Sequence, residues 1–83
     1  MELGIDSKDN IYVSERRNNR IQKFDSNGNF IAKFGSKGSG DGEFNQLGSI
    51  AIDHDGNIYV LDTGNCRIQK FKPNPEFKNE KEN

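Results

Sequence analysis

The chain has one cysteine, Cys66, one histidine, His54, and no tryptophan. A single thiol excludes an internal disulfide, and with it the class of small secreted domains stapled by disulfides. One histidine and one cysteine on separate turns fall short of the three or four ligands a zinc site requires. No apolar run approaches the roughly 20 residues of a membrane-crossing helix, and Met1 is followed by Glu2 rather than a basic-then-apolar leader. A cytoplasmic location and no membrane contact are therefore expected. Neither sign of charge dominates, since the net charge is −1. The overall balance points to neither nucleic acid nor an anionic membrane as a partner.

Apolar residues are also scarce. A chain of 83 residues that is 30% hydrophobic is poorly supplied for an independent core. What it has instead is repetition. Residues 18–24 read NNRIQKF and residues 65–71 read NCRIQKF. At an offset of 47, the 21 positions from Ile5 to Asp25 give 12 identities, with Glu15 opposite Asp62 as a conservative exchange. A period of this size marks a solenoid, a propeller or an array, whose units bury apolar faces against one another.

The segments IYV, RIQKF and FIAKF are short and rich in β-branched and aromatic residues. They predict strands near Leu3–Asp6, Asn10–Ser14, Arg20–Asp25 and Phe30–Phe34, then near Ser49–Asp53, Asn57–Leu61 and Arg67–Lys72. DSNGN and DHDGN carry the Asn-Gly and Asp-Gly pairs of tight hairpins. DSKDN has no glycine, so a different turn type is expected there. Ile21 and Phe24 have opposite parity along RIQKF, as in a sheet packed on both faces. The fold class is all-β, with four short antiparallel strands per 47 residues forming a propeller blade.

Written as IDxxGNIYVxDxxNxRIQKF followed by FGxxGxGxGxF, the pattern resembles the NHL repeat, a four-stranded propeller blade, over residues 3–72. Tryptophan-aspartate blades carry signatures absent here, and kelch blades carry a Gly-Gly pair that is also absent. The resemblance implies one repeat with its inter-blade loop over 1–48, a second of three strands over 49–72, and a disordered charged tail over 73–83. NHL propellers usually close with six blades. A homotrimer completing a six-bladed ring is one assembly this implies; a piece of a longer protein is the other.

Candidate functional residues fall in the turns. Glu15 with Arg20, and Asp62 with Arg67, flank the connection between second and third strands, where each pair can pin its hairpin by a charge-assisted hydrogen bond. Asn18 and Asn65 sit inside those turns, where asparagine bonds its own backbone. The turns differ at their tips: Arg16 and Arg17 stand where the second unit has Thr63 and Gly64. Blade geometry therefore does not require arginine at these positions. Arg16, Arg17 and Lys37 are the candidates for a basic rim patch taking an acidic peptide or a phosphate backbone. The other rim, with DSKDN, DSNGN and DHDGN, is acidic.

Other motifs are excluded. GSKGSGDGEFNQLG has neither the phosphate-loop nor the dinucleotide-loop pattern and is read as a crossover packed down by Phe44 and Leu47. DHDGN and DSNGN lack the glycine and glutamate positions of a calcium loop, and Cys66 has no base placed near it in sequence. No catalytic residue, metal site or cofactor is expected. The leading expectation is a non-catalytic binding or scaffold module presenting a rim to a protein or peptide, with RNA as a further partner class. Similar propellers serve as substrate-recognition domains of ubiquitin ligases. The alternative is a fragment of an NHL-propeller enzyme, amidating-lyase or lactonase-like, whose catalytic residues lie on other blades.

Overall fold

The computed structural model of the chain describes residues 1–72. The tail expected over 73–83 lies outside the described residues. Four strands, β1 (Glu2–Ile5), β2 (Ile11–Glu15), β3 (Arg20–Phe24) and β4 (Phe30–Phe34), form an antiparallel sheet in the order β1-β2-β3-β4. A connection follows, holding two short strands, β5 (Ser36–Lys37) and β6 (Glu43–Phe44), paired in parallel. The second sheet is β7 (Leu47–Ile52), β8 (Ile58–Asp62) and β9 (Arg67–Phe71) in the order β7-β8-β9. Both sheets are meanders of sequence neighbours, as the repeated hairpin signals dictate.

Strand ends agree with expectation to within one residue, except around the crossover. β7 begins at Leu47 rather than near Ser49, through a register shift between Leu47 and Ile50. The β5–β6 pair was not foreseen, because glycine-rich sequence gives no strand signal. The backbone groups of the crossover nevertheless need partners, and the parallel bridge supplies some of them.

The DSKDN corner corrects a second expectation. It is the same turn as its glycine-bearing sisters. In each corner the leading aspartate carbonyl accepts an amide three residues on: Asp9 to Asp6, Gly28 to Asp25 and Gly56 to Asp53, all at 3.0 Å. Each carboxylate also accepts amides two and four residues on. Asp9 adopts φ +65°, where Gly28 and Gly56 adopt +86° and +88°. Aspartate tolerates the left-handed region better than most residues, and that replaces the missing glycine.

Strand alternation gives each sheet two faces, and the sheets stack. One face of the first sheet, carrying Gly4, Tyr12, Ser14, Ile21 and Lys23, meets the face of the second carrying Ile50, Ile52, Ile58, Val60 and Phe71. Phe44 and Leu47 fill the seam, and Tyr12, Ile21, Phe44, Leu47, Ile58, Val60 and Phe71 are the buried core. Burying side chains of this kind stabilises by about 1.5–3 kcal/mol each. Phe34, Phe44 and Phe71 pack edge to face, with centroids 4.8–6.3 Å apart. Gly4 is small for a reason: a β-carbon there would lie 3.0 Å from Ile52 Cδ1.

Candidate binding surface

The β2–β3 and β8–β9 hairpins project from the same rim, opposite the three aspartate corners. On the corner rim, Asp6, Lys8 and Asp55 line one shallow depression of about 240 Å³, so the corners of neighbouring sheets sit side by side. Each of Tyr12 and Tyr59 donates its hydroxyl to the aspartate six residues earlier, Asp6 at 3.1 Å and Asp53 at 3.0 Å. Burial, then the hydrogen bond and charge of Asp6, pushes the Tyr12 hydroxyl well above its ordinary range. The Asn57 side chain first, with amides and Tyr59 after it, holds Asp53 at about 2.

On the hairpin rim, the second unit builds a clamp. Asp62 is fully buried and accepts Arg67 Nε at 2.7 Å, Asn65 Nδ2 at 3.0 Å, Gln69 Nε2 at 3.2 Å and the Asn45 amide at 2.8 Å. Burial raises its proton affinity, but these donors outweigh that and hold the carboxyl below its ordinary range. The side chains held by Asp62 grip the crossover. Arg67 Nη2 donates to the Gly40 and Glu43 carbonyls at 2.7 and 3.1 Å, and Gln69 Nε2 donates to the latter at 2.8 Å. Asn65 Nδ2 donates to the Gly38 carbonyl at 2.9 Å, and Gln69 Oε1 accepts the Gly42 amide at 3.1 Å.

The first unit carries the same set with a different outcome. Glu15 accepts Arg20 Nε at 3.0 Å, Asn18 Nδ2 at 2.8 Å and Gln22 Nε2. Arg20 first, then Asn18, and Gln22 after them hold the Glu15 carboxyl at about 2. Among the described residues no crossover lies over this set, and Glu15 is part-exposed where Asp62 is sealed. The two hairpins also share a left-handed residue, Asn19 at φ +49° and Cys66 at +53°.

Arg16, Arg17 and Lys37 are all exposed, but the structure divides them between two depressions. Arg16 and Arg17 border one of about 330 Å³ with Met1, Glu15 and Asn18. Lys37 borders one of about 420 Å³ with Asn18, Arg20, Lys33 and Phe34. Asn18 lines both. Among the described residues, Arg16, Arg17, Lys33 and Lys37 have no side-chain ion pair or hydrogen bond.

Four participants were not singled out from sequence. Lys33 joins the patch because it lies opposite Gln22 across a bulged register, which sequence does not show. Asn19 is buried, and its Oδ1 accepts the Leu47 amide at 3.2 Å, tying the first hairpin to the second sheet. Gln22 and Gln69 recur identically within RIQKF, a signal that could have flagged them. Among the described residues no three His, Cys, Asp or Glu side chains gather to hold a metal ion. His54 and Cys66 are exposed on different turns, and among the described residues no helix is long and apolar enough to cross a membrane.

No curated protein matches the chain. The sequence family DUF5128, described as a 6-bladed beta-propeller, matches residues 5–82, a match that supports propeller repeats without singling out the NHL type. With two stacked meander sheets joined by a clamped crossover and a family match over nearly its whole length, the chain belongs to this six-bladed β-propeller family.

Proposed function

We propose that the chain is a non-catalytic binding module with NHL-type blades, whose hairpin rim around Asn18 receives an acidic segment of a protein partner. The observation that carries this reading is the contrast between the two hairpin tips. Gly64 is dictated by packing, because its amide donates to the Asn45 carbonyl at 2.7 Å and a β-carbon there would lie 2.6 Å from that oxygen. Arg16 and Arg17 occupy the equivalent tip in the open, with no intramolecular partner among the described residues. Two long cations held out on a well-formed hairpin, with Lys33 and Lys37 beside them, supply charge that the fold does not consume. The acidic corners on the opposite rim orient an acidic partner toward this side.

Fluorescence anisotropy with a labelled glutamate-rich peptide tests the reading, with a single-stranded RNA oligomer as the competing probe. The double substitution Arg16→Glu with Arg17→Glu should weaken peptide binding by about tenfold or more at low salt, since each reversal replaces attraction by repulsion. The circular dichroism spectrum should be unchanged. Peptide affinity that ignores the substitutions, or RNA binding tighter than peptide binding, would sink this reading.

A further inference from the structure

Among the described residues, most of the large apolar side chains that remain exposed gather on two surfaces: the outer face of the first sheet and the outer face of the second. Leu3 and Ile5 are 61% and 55% exposed and lie beside Ile11, Val13 and Phe24, with Phe30 at the end of the stripe. On the far side of the molecule, Ile68 is 62% exposed, and Leu61, Ala51 and Tyr59 complete an apolar groove of about 220 Å³.

The repeat shows what such faces do. At the offset of 47, Leu3, Ile5, Ile11, Val13 and Phe24 correspond to Ile50, Ile52, Ile58, Val60 and Phe71. Ala51, Tyr59, Leu61 and Ile68 correspond to Gly4, Tyr12, Ser14 and Ile21. These two corresponding sets are the surfaces that pack against each other inside the chain: Ile21, Tyr12, Ile58 and Val60 are fully buried there. The molecule thus already contains one copy of the interface, and its two outer faces are the complementary halves of a second.

We infer that a second copy of this chain docks head to tail. The outer face of its first sheet lies on the outer face of this chain's second sheet, repeating the internal stacking. Leu3 and Ile5 of the incoming copy then lie against Ala51, as Ile50 and Ile52 lie against Gly4. The contact is heterologous, so it propagates and closes only if the rotation divides the circle. Two blade sheets among the described residues, in a six-bladed family, close a ring at three copies. Two pairings are not identical to the internal ones. Leu61 and Ala51 stand where Ser14 and Gly4 stand; Leu61 offers more apolar surface, while Ile5 of the incoming copy must shift by a few tenths of an ångström to clear the Ala51 β-carbon, since a β-carbon at Gly4 would lie 3.0 Å from Ile52 Cδ1.

Light scattering on a size-exclusion column tests this with the 83-residue chain. The expected mass is three times 9.4 kDa. Ile5→Lys and Ile68→Lys each block one of the two faces at an exposed position, so each should give a monomer whose β-sheet circular dichroism is retained. An equal mixture of the two variants should give a dimer, because each retains the face the other has lost. A folded wild-type monomer, a dimer, or an open-ended polymer overturns the closed ring. So does a mixture of the variants that stays monomeric beside a trimeric wild type.

Discussion

Gly64 and Asn45 meet backbone to backbone, the amide of one donating to the carbonyl of the other at 2.7 Å. This contact brings the crossover down on the second hairpin, and it leaves no room for a side chain at residue 64. Gly64→Arg, which copies the first hairpin's Arg17, should destabilise the chain by about 1–3 kcal/mol, as overpacking does. Arg17→Gly should cost well under that, because the Arg17 side chain is exposed and makes no hydrogen bond or ion pair among the described residues. Urea unfolding of the two variants side by side measures the asymmetry, and equal losses would refute it.

The two carboxylates at the base of the hairpins should also differ in worth. Asp62→Ala removes a buried acceptor that Arg67 Nε, Asn65, Gln69 and the Asn45 amide share, and leaves the Arg67 charge without its carboxylate. Losing one side of a buried charge network costs about 3–5 kcal/mol. Glu15→Ala breaks a part-exposed pair with Arg20, for which about 1 kcal/mol or less is expected. Midpoints of denaturant unfolding at neutral pH give both values.

Acid should destabilise the chain. Glu15 falls from an ordinary 4.5 to about 2 through Arg20, Asn18 and Gln22, and Asp53 from 3.8 to about 2 through Asn57 first. Asp6 and Asp25 are shifted the same way by their own corners. A carboxyl with a depressed native pKa binds protons more weakly folded than unfolded, so its stabilisation is present above the unfolded value. It is lost as pH falls from about 4.5 toward 2. Thermal melts across that range should show a falling midpoint, and a flat profile would contradict the corner geometry. The Glu15→Gln variant should lose less than the parent chain over the same interval.

Asp9 holds a left-handed backbone that its sister corners give to glycine. Asp9→Gly should therefore stabilise the chain by up to about 1 kcal/mol, the relief of left-handed strain exceeding glycine's greater unfolded entropy. Asp9→Val, β-branched in the same conformation, should destabilise. Thermal midpoints of the two variants should move in opposite directions.

Much of the fold could be read from residues alone, since strand composition, hairpin glycines and the 47-residue period are all local signals. Arg20 and Arg67 could be placed at their hairpins because an acid and an arginine five residues apart bracket one tight turn. What escaped was tertiary. Gln22 and Gln69 are the same letter in the same pentapeptide, RIQKF, yet Gln69 holds a passing backbone while Gln22 bonds only Glu15. Nothing in either segment encodes which one lies beneath a crossover. Lys33 was hidden by a bulge, and Asp9 by the habit of expecting glycine wherever φ turns positive. Lys37 was grouped with Arg16 and Arg17 by charge, whereas the register seats it in the neighbouring depression with Lys33.

The crossover clamp also bears on how the chain comes to fold. Every sheet pairing joins strands adjacent in sequence, so each hairpin is a local event on the scale of roughly 1–10 μs. The hydrogen bonds from Arg67, Gln69 and Asn65 to residues 38–43 instead span 24–27 positions. We expect the barrier to lie where such long-range contacts form, at this closure and at the stacking of Gly4 on Ile52, because chain entropy is surrendered there before the contacts repay it. Substitutions in the clamp would then slow refolding, while those in the aspartate corners would chiefly hasten unfolding.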